Sequence, residues 1–296
     1  MDKAIYSINN IVAATDFSLL GELAALRAAQ IAQKHGKILH LLHVVHPLKI
    51  YPELMIPFDT HIKDYERIKS ANGIDLLDKL ADKIRSEFNI LVDTSAQIGR
   101  THVQIAEFAK SRAASLVVIG FHDEAGLLDM VTGSAAFKLL PISPCPLLMV
   151  RSRDTTSYKQ VIVAVDLSTS SLKAASVACA VANIAHITLL HVYDIKQEIL
   201  SQEIGIQQSR VQHYREASLL HIQVALNMLL HLLDDERTSS KIINGYLPES
   251  IVECVEDNNV DLVVMAAGEK SVLDKLLLAS VSKSVSIRVD CDILLV

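Results

Sequence analysis

The sequence predicts an α/β protein built from two repeated open, five-stranded parallel-sheet domains. Two observations carry this. The first is a repeat of four segments. Asn10–Ser18 (NIVAATDFS) matches Gln160–Ser168 (QVIVAVDLS), and Leu41–Val45 (LLHVV) matches Leu189–Tyr193 (LLHVY). Leu116–Ile119 (LVVI) matches Leu262–Met265 (LVVM), and Cys145–Val150 (CPLLMV) matches Cys291–Val296 (CDILLV). The order is the same in both halves and the offset drifts only from 150 to 146, which marks a duplication rather than chance. The second observation is the alternation of short apolar runs with longer helical patterns, the signature of βαβ units. Aromatic residues make up only 4% of the chain and Trp is absent, so the core must be Leu, Ile, Val and Ala. That composition suits parallel strands covered on both faces.

Each half reads in the same order. A strand ends in Asp16 or Asp166, and a helix opens at Ser18 or Ser168, whose hydroxyls are suited to accept from an orphan helix N–H. A second strand spans 40–45 or 187–193, followed by a long helix over 59–88 or 202–235. The latter contains the apolar run 217–233 and is expected to bury a wide face. The third strand ends near Gly99 or Gly245, the fourth covers 115–120 or 261–267, and a last helix precedes the fifth strand. Right-handed crossovers would place helices on both sheet faces. The expected organisation is domain one over 1–151, a polar linker over 152–158, and domain two over 159–296. A bare terminal strand is an aggregation hazard, so the last strands are expected to pair with each other, forming an internal pseudo-dimer.

Composition excludes several classes. Net charge is −6 and Lys and Arg form no stripe, against a nucleic-acid binder. The run 217–233 is interrupted by His221, Gln223, Asn227 and His231, which argues against a membrane span. No signal peptide opens the sequence, and a cytoplasmic location is expected. Cys145, Cys179, Cys254 and Cys291 lie far apart in apolar segments and are expected to be buried free thiols. His40, His43 and His46 do not converge on a metal, because a strand alternates faces. His43 recurs as His191, which points to a structural role in the second strand. Phosphate-loop, dinucleotide, nucleophile-elbow and zinc-protease motifs are all missing.

The chemistry present follows the fourth strand, where open parallel sheets bind ligands beyond their carboxyl ends. There the first half carries Gly120-Phe121-His122-Asp123, nine residues, then Gly133-Ser134. With Asp16 and the strand Leu41–Val45, this resembles the universal stress protein family over nearly the whole chain, twice. The family pattern is Gly, two residues, Gly, nine residues, Gly-Ser or Gly-Thr. The resemblance implies a Rossmann-like, adenine nucleotide alpha hydrolase-like fold and a possible homodimer.

It also implies an adenine nucleotide site for ATP or AMP, with Mg accompanying ATP and no cofactor required. Ala14, Asp16, Val44 and Val45 would lie beside base and ribose, and Gly120, His122, Asp123, Gly133, Ser134 and Ala135 around the phosphates. Asp123 stands where the family has its second Gly. A carboxylate about 4 Å from a phosphate charge costs around 4 kcal/mol at an effective dielectric near 20, so triphosphate binding should be weakened. In the second half the corresponding residues are Ala266, Glu269, Ala279 and Ser280, a degenerate pocket, although Asp166 remains.

The reading is a stress-response binding protein rather than an enzyme, with slow ATP hydrolysis as an alternative through His122 or Asp123. A second alternative is a carrier of a non-nucleotide small molecule or lipid-like ligand, in an apolar slot lined by the long helices and the segment 46–58. Asp16 and Asp166 have a purely structural reading too, as acceptors in the turn after the first strand.

Overall fold

The computed structural model describes residues 6–47, 59–121, 135–193, 208–266 and 281–296. The chain forms two compact units, Ser7–Thr155 and Thr156–Val296, and Tyr6 belongs with the second. Its N–H donates to the buried Ser176 hydroxyl at 2.7 Å.

The N-terminal unit runs β1 (Asn10–Ala14), α1 (Leu19–His35), β2 (Leu39–Val45), α2 (Asp59–Phe88) and β3 (Val92–Ile98). It continues with α3 (Thr101–Ser111), β4 (Ala114–Gly120), α4 (Ala135–Leu139) and β5 (Leu147–Val150). The strand order is β3-β2-β1-β4-β5, parallel throughout. The C-terminal unit repeats it with β6 (Gln160–Ala164), α5 (Thr169–Val181), β7 (His186–Tyr193), α6 (Gln208–Leu233), β8 (Thr238–Asn244), α7 (Leu247–Asp257), β9 (Leu262–Met265), a helix over 281–288 and β10 (Asp292–Leu295). Its order is β10-β9-β6-β7-β8, again parallel.

The central strands are buried on both faces: Ile11, Val12, Leu41, Leu42, Val117 and Val118 have no exposed surface. Helix α1 covers them with alanines at 24, 25, 28, 29 and 32, all fully buried. The missing bulk lets the helix sit close to β1 and β4. Ser18 caps α1, accepting from the Gly21 N–H at 3.1 Å, and Gly36 ends it in the left-handed conformation, φ 60°.

The strand-two histidines alternate as the pleat requires. His40 turns toward α3, edge-on to Phe108 and 3.2 Å from Asp93, while His43 turns toward α2. Helix α6 departs from expectation. Its buried face is narrow, carried by Ile222, Leu226 and Leu233, while Leu220, Val224 and Met228 are 67%, 50% and 62% exposed. Residues 212–233 are long and apolar enough to cross a membrane, but the buried side chains tie the helix into its unit beside β8 and α5. Of the cysteines, Cys254 and Cys291 are buried as expected, whereas Cys145 and Cys179 are half-buried; all four are free thiols.

Candidate functional site

In each unit the chain leaves the first strand, builds two strands on one side, then crosses to the other side for the fourth. The sheet order therefore reverses between β1 and β4, and between β6 and β9. The carboxyl end of that pair is where a ligand crevice belongs in a doubly wound sheet.

At this point in the N-terminal unit, Thr15 is still tied to β2 through its N–H and the Leu42 carbonyl, 2.9 Å apart. The next residues turn sharply. Asp16 Oδ1 accepts from the Ser18 N–H at 3.0 Å and from the Ser18 hydroxyl, which in turn accepts from Gly21 N–H. This relay orients the carboxylate and starts α1 in one stroke. Phe17 takes a left-handed conformation, φ 63°, which costs a non-glycine residue about 1–2 kcal/mol. His43 offsets that strain. Its Nδ1 lies 2.8 Å from the Thr15 carbonyl, and because a carbonyl only accepts, Nδ1 carries the proton. The imidazole also lies against Phe17, centroids 4.5 Å apart. Gly73 of α2 makes room on the other side, where a Cβ would fall 2.8 Å from the ring.

The C-terminal unit reproduces the turn. Leu167 has φ 63°, and His191 Nδ1 donates to the Val165 carbonyl at 2.9 Å. The recurrence of the histidine thus marks a strut beneath the strand-one turn. One expectation fails here, because Ser168 makes no cap bond to α5. Its hydroxyl donates to Asp166, as Ser18 donates to Asp16, and lies 2.6 Å from the Ser170 hydroxyl. The added feature of this turn is Ser171. Ser171 occupies the position of Gly21 and is wholly buried. Its hydroxyl donates to Asp166 Oδ1 at 2.7 Å and accepts from the Asp166 N–H at 3.1 Å. Burial pushes the Asp166 carboxyl up, but the hydrogen bonds from Ser168 and Ser171 outweigh it, leaving a net lowering.

The glycines divide in the same way. A Cβ on Gly21 would fall 2.5 Å from Asp16 Oδ1, and one on Gly120 would fall 2.7–2.9 Å from the backbone of Leu20 and Gly21. Gly120 therefore lets the start of α1 close onto the end of β4, a packing role that sequence reasoning missed. The later unit has Ala266, buried, at the Gly120 position.

Of the other sequence-derived site residues, Asp16 is exposed, and Ala14 and Val44 are half-buried at the same sheet edge. Val45 is buried, its carbonyl already accepting from Gly99 N–H at 3.0 Å. Ala135 is exposed at the start of α4. His122, Asp123, Gly133 and Ser134 lie outside the described residues, as do Glu269, Ala279, Ser280 and most of the 46–58 segment. Sequence reasoning also missed the aromatic contact under α4. Phe121, at the end of β4, packs edge-on against Phe137 at 5.8 Å beneath the Arg151 guanidinium. Arg100, just before α3, and Lys138 on α4 place positive charge around His102. His102 is held below its ordinary pKa by burial first, then by Lys138 and Arg100. Among the described residues no cluster of His, Cys, Asp or Glu could hold a metal ion.

Fold and site together define a tandem pair of doubly wound domains, each with a conserved-geometry turn at its sheet reversal. The family model for the universal stress protein family matches residues 7–151 and again 157–296. The chain belongs to that family, as two such domains in tandem. Universal stress protein YxiE of Bacillus subtilis is 26% identical over 148 residues, covering 48% of this chain and 99% of its own. Universal stress protein MJ0531 of Methanocaldococcus jannaschii is 27% identical over 141 residues, covering 48% and 81%. Among solved structures, a universal stress protein from Archaeoglobus fulgidus aligns over 99% of this chain and 97% of its own, with TM-score 0.68 and 19% identity.

Proposed function

We propose that this protein is a cytoplasmic stress-response binding protein whose N-terminal unit takes up an adenine nucleotide weakly, and whose C-terminal unit has given up its pocket for a structural role. The observation that carries the reading is the difference between the two sheet reversals. In both, the aspartate is exposed and the alanine two residues before it is half-buried, but in the first Val44 is half-buried where the matching Val192 is buried, and position 21 is a glycine. In the second, the buried Ser171 stands at that glycine's position and engages Asp166 from both sides. A carboxylate at such a rim suits ribose hydroxyls, which donate to it. The positive charge of Arg100 and Lys138, which acts on His102 between α3 and α4, suits phosphate. No step of turnover is assigned to the site.

A thermal-shift titration with adenosine, AMP and ATP tests this. Stabilisation is expected for adenosine or AMP at lower concentration than for ATP, and it should vanish in Gly133→Asp. Asp123→Gly should tighten ATP at least about tenfold, a change of 1.4 kcal/mol. Absence of any shift at millimolar ligand would sink nucleotide binding, and an equal ATP response in the Asp123→Gly protein would remove the role given to that carboxylate.

A further inference from the structure

Strand β8 and helix α7 repeat β3 and α3 at one constant offset, Val92 to Thr238 and Thr101 to Leu247. At that offset Lys241 stands for Ser95, Cys254 for Phe108 and Asn258 for Arg112. In the N-terminal unit the place is filled by the buried Phe108 ring, with the Arg112 guanidinium 5.1 Å from its centroid. In the C-terminal unit a sulfur replaces the ring, and two nitrogens come to it. Lys241 Nζ, from β8, donates to Cys254 Sγ at 3.8 Å, and Asn258 Nδ2 donates to it at 3.6 Å. A second bond, to the Cys254 carbonyl at 2.7 Å, pins the Asn258 amide there.

Three thiols belong to this unit, and their neighbours differ. Burial first, then Asp235 beside Cys179 and Asp292 beside Cys291, pushes those two thiols up to about 12. Cys254 instead has an ammonium and an amide on its sulfur. The residue is only 6% exposed, which disfavours attack by a bulky thiol and leaves the lysine amine as the nucleophile at hand.

We propose that Cys254 and Lys241 form a peroxide-responsive pair, in which oxidation of the sulfur is followed by a covalent S–N bond, a sulfenamide, joining α7 to β8. The oxidant is hydrogen peroxide. In the first step Sγ attacks one peroxide oxygen. An S–O bond forms, the O–O bond breaks, sulfur gives up two electrons, and the second oxygen leaves as water with the thiol proton. In the next step the Lys241 ammonium protonates the sulfenic hydroxyl, and the freed Nζ lone pair attacks sulfur. The S–O bond breaks, water leaves, and nitrogen releases one proton to solvent. One thiol, one ammonium and one hydrogen peroxide thus give one sulfenamide, two waters and a proton. The 3.8 Å gap closes by rotation within the flexible stem of the exposed Lys241. The bond ties the last strand of the unit's sheet to the helix that follows it.

Mass spectrometry of the full chain tests this after treatment with about 1 mM hydrogen peroxide, blocking of free thiols, denaturation and tryptic digestion without reductant. Residues 238–270 should appear as one peptide, uncut at Lys241 and two hydrogens lighter than its sequence requires, and dithiothreitol should restore the mass and the cut. Lys241→Arg keeps a cation at the site and removes the amine, so the linked peptide should be lost and Cys254 should proceed to sulfinic acid. Cys254→Ser should lose the linked peptide as well. Oxidised wild type in which Cys254 is unmodified, or is sulfinic acid with Lys241 cut normally, overturns the proposal. So does a linked peptide that survives in Lys241→Arg, which would put the sulfur on another nitrogen.

Discussion

Gly120→Ala separates packing from ligand binding at the sheet reversal. The added methyl would lie 2.7 Å from the Leu20 carbonyl carbon, 2.8 Å from its oxygen and 2.9 Å from the Gly21 nitrogen. These are backbone atoms, so no rotamer change relieves the contact; the first turn of α1 must retreat by several tenths of an ångström or more. That turn is held by the Gly21–Ser18–Asp16 relay, and overpacking of this kind costs about 1–3 kcal/mol. For a unit of this size each kcal/mol lowers Tm by about 2–4 °C, so a fall of about 2–12 °C is expected. Urea unfolding followed by far-UV circular dichroism, without nucleotide, measures the free-energy loss, and a thermal scan the fall in Tm. Hydrogen exchange in peptides from β1 and β4 assigns the loss to the N-terminal unit, which matters because two units need not unfold in one transition. Ala266 shows that alanine is tolerated at this position when the helix after the first strand, α5, starts differently, without a serine cap. A Gly120→Ala protein within about 0.5 kcal/mol of wild type would refute the close-approach argument, since that is the ordinary range for surface changes.

Asp166→Asn should remove an acid-sensitive part of the stability of the C-terminal unit. The folded carboxyl titrates below its ordinary value of 3.8, so its contribution is complete above that value and is lost as pH falls through the lower, folded one. Wild type should lose more stability than the variant over that fall, and parallel pH profiles would contradict the assignment. Burial, reinforced by Asp235, pushes the Cys179 thiol up to about 12, and burial with Asp292 does the same for Cys291. Both should resist iodoacetamide at about pH 8 in the native protein and react once denatured, because only the thiolate attacks. Native labelling of either, located by peptide mass spectrometry, would show its surroundings to be more open than described here.

Much of the architecture was legible in the residues. The Asp-x-Ser segment after a short apolar run marks both strand-one turns, and the extent of α2 follows from its pattern without revision. His43 and His191 announced themselves by recurring at one place in the repeat. What could not be read was set by contacts distant in sequence. The close approach of the Leu20 backbone to Gly120 is one such contact, which the position of that glycine at a strand end does not announce. Ser168 has the identity of a cap yet makes no cap bond, and Ser171, a residue with no unusual local signal, adds its own hydrogen bonds to Asp166. The run 217–233 is apolar enough to imply a wide buried face, because hydrophobicity alone does not say which side of a helix meets the sheet. Comparison with α2 would have exposed the difference, since its outward positions hold Asp75, Lys79 and Lys83.

Tyr6 has a consequence for how the protein is made and dissected. Its bond to Ser176 spans 170 positions of the chain. During synthesis Tyr6 must wait while a whole neighbouring unit emerges, and only then finds its seat. Cutting the gene in the middle would hand each fragment the wrong end: the earlier one keeps a stub with no berth, and the later one loses a tether that stands at the opposite terminus.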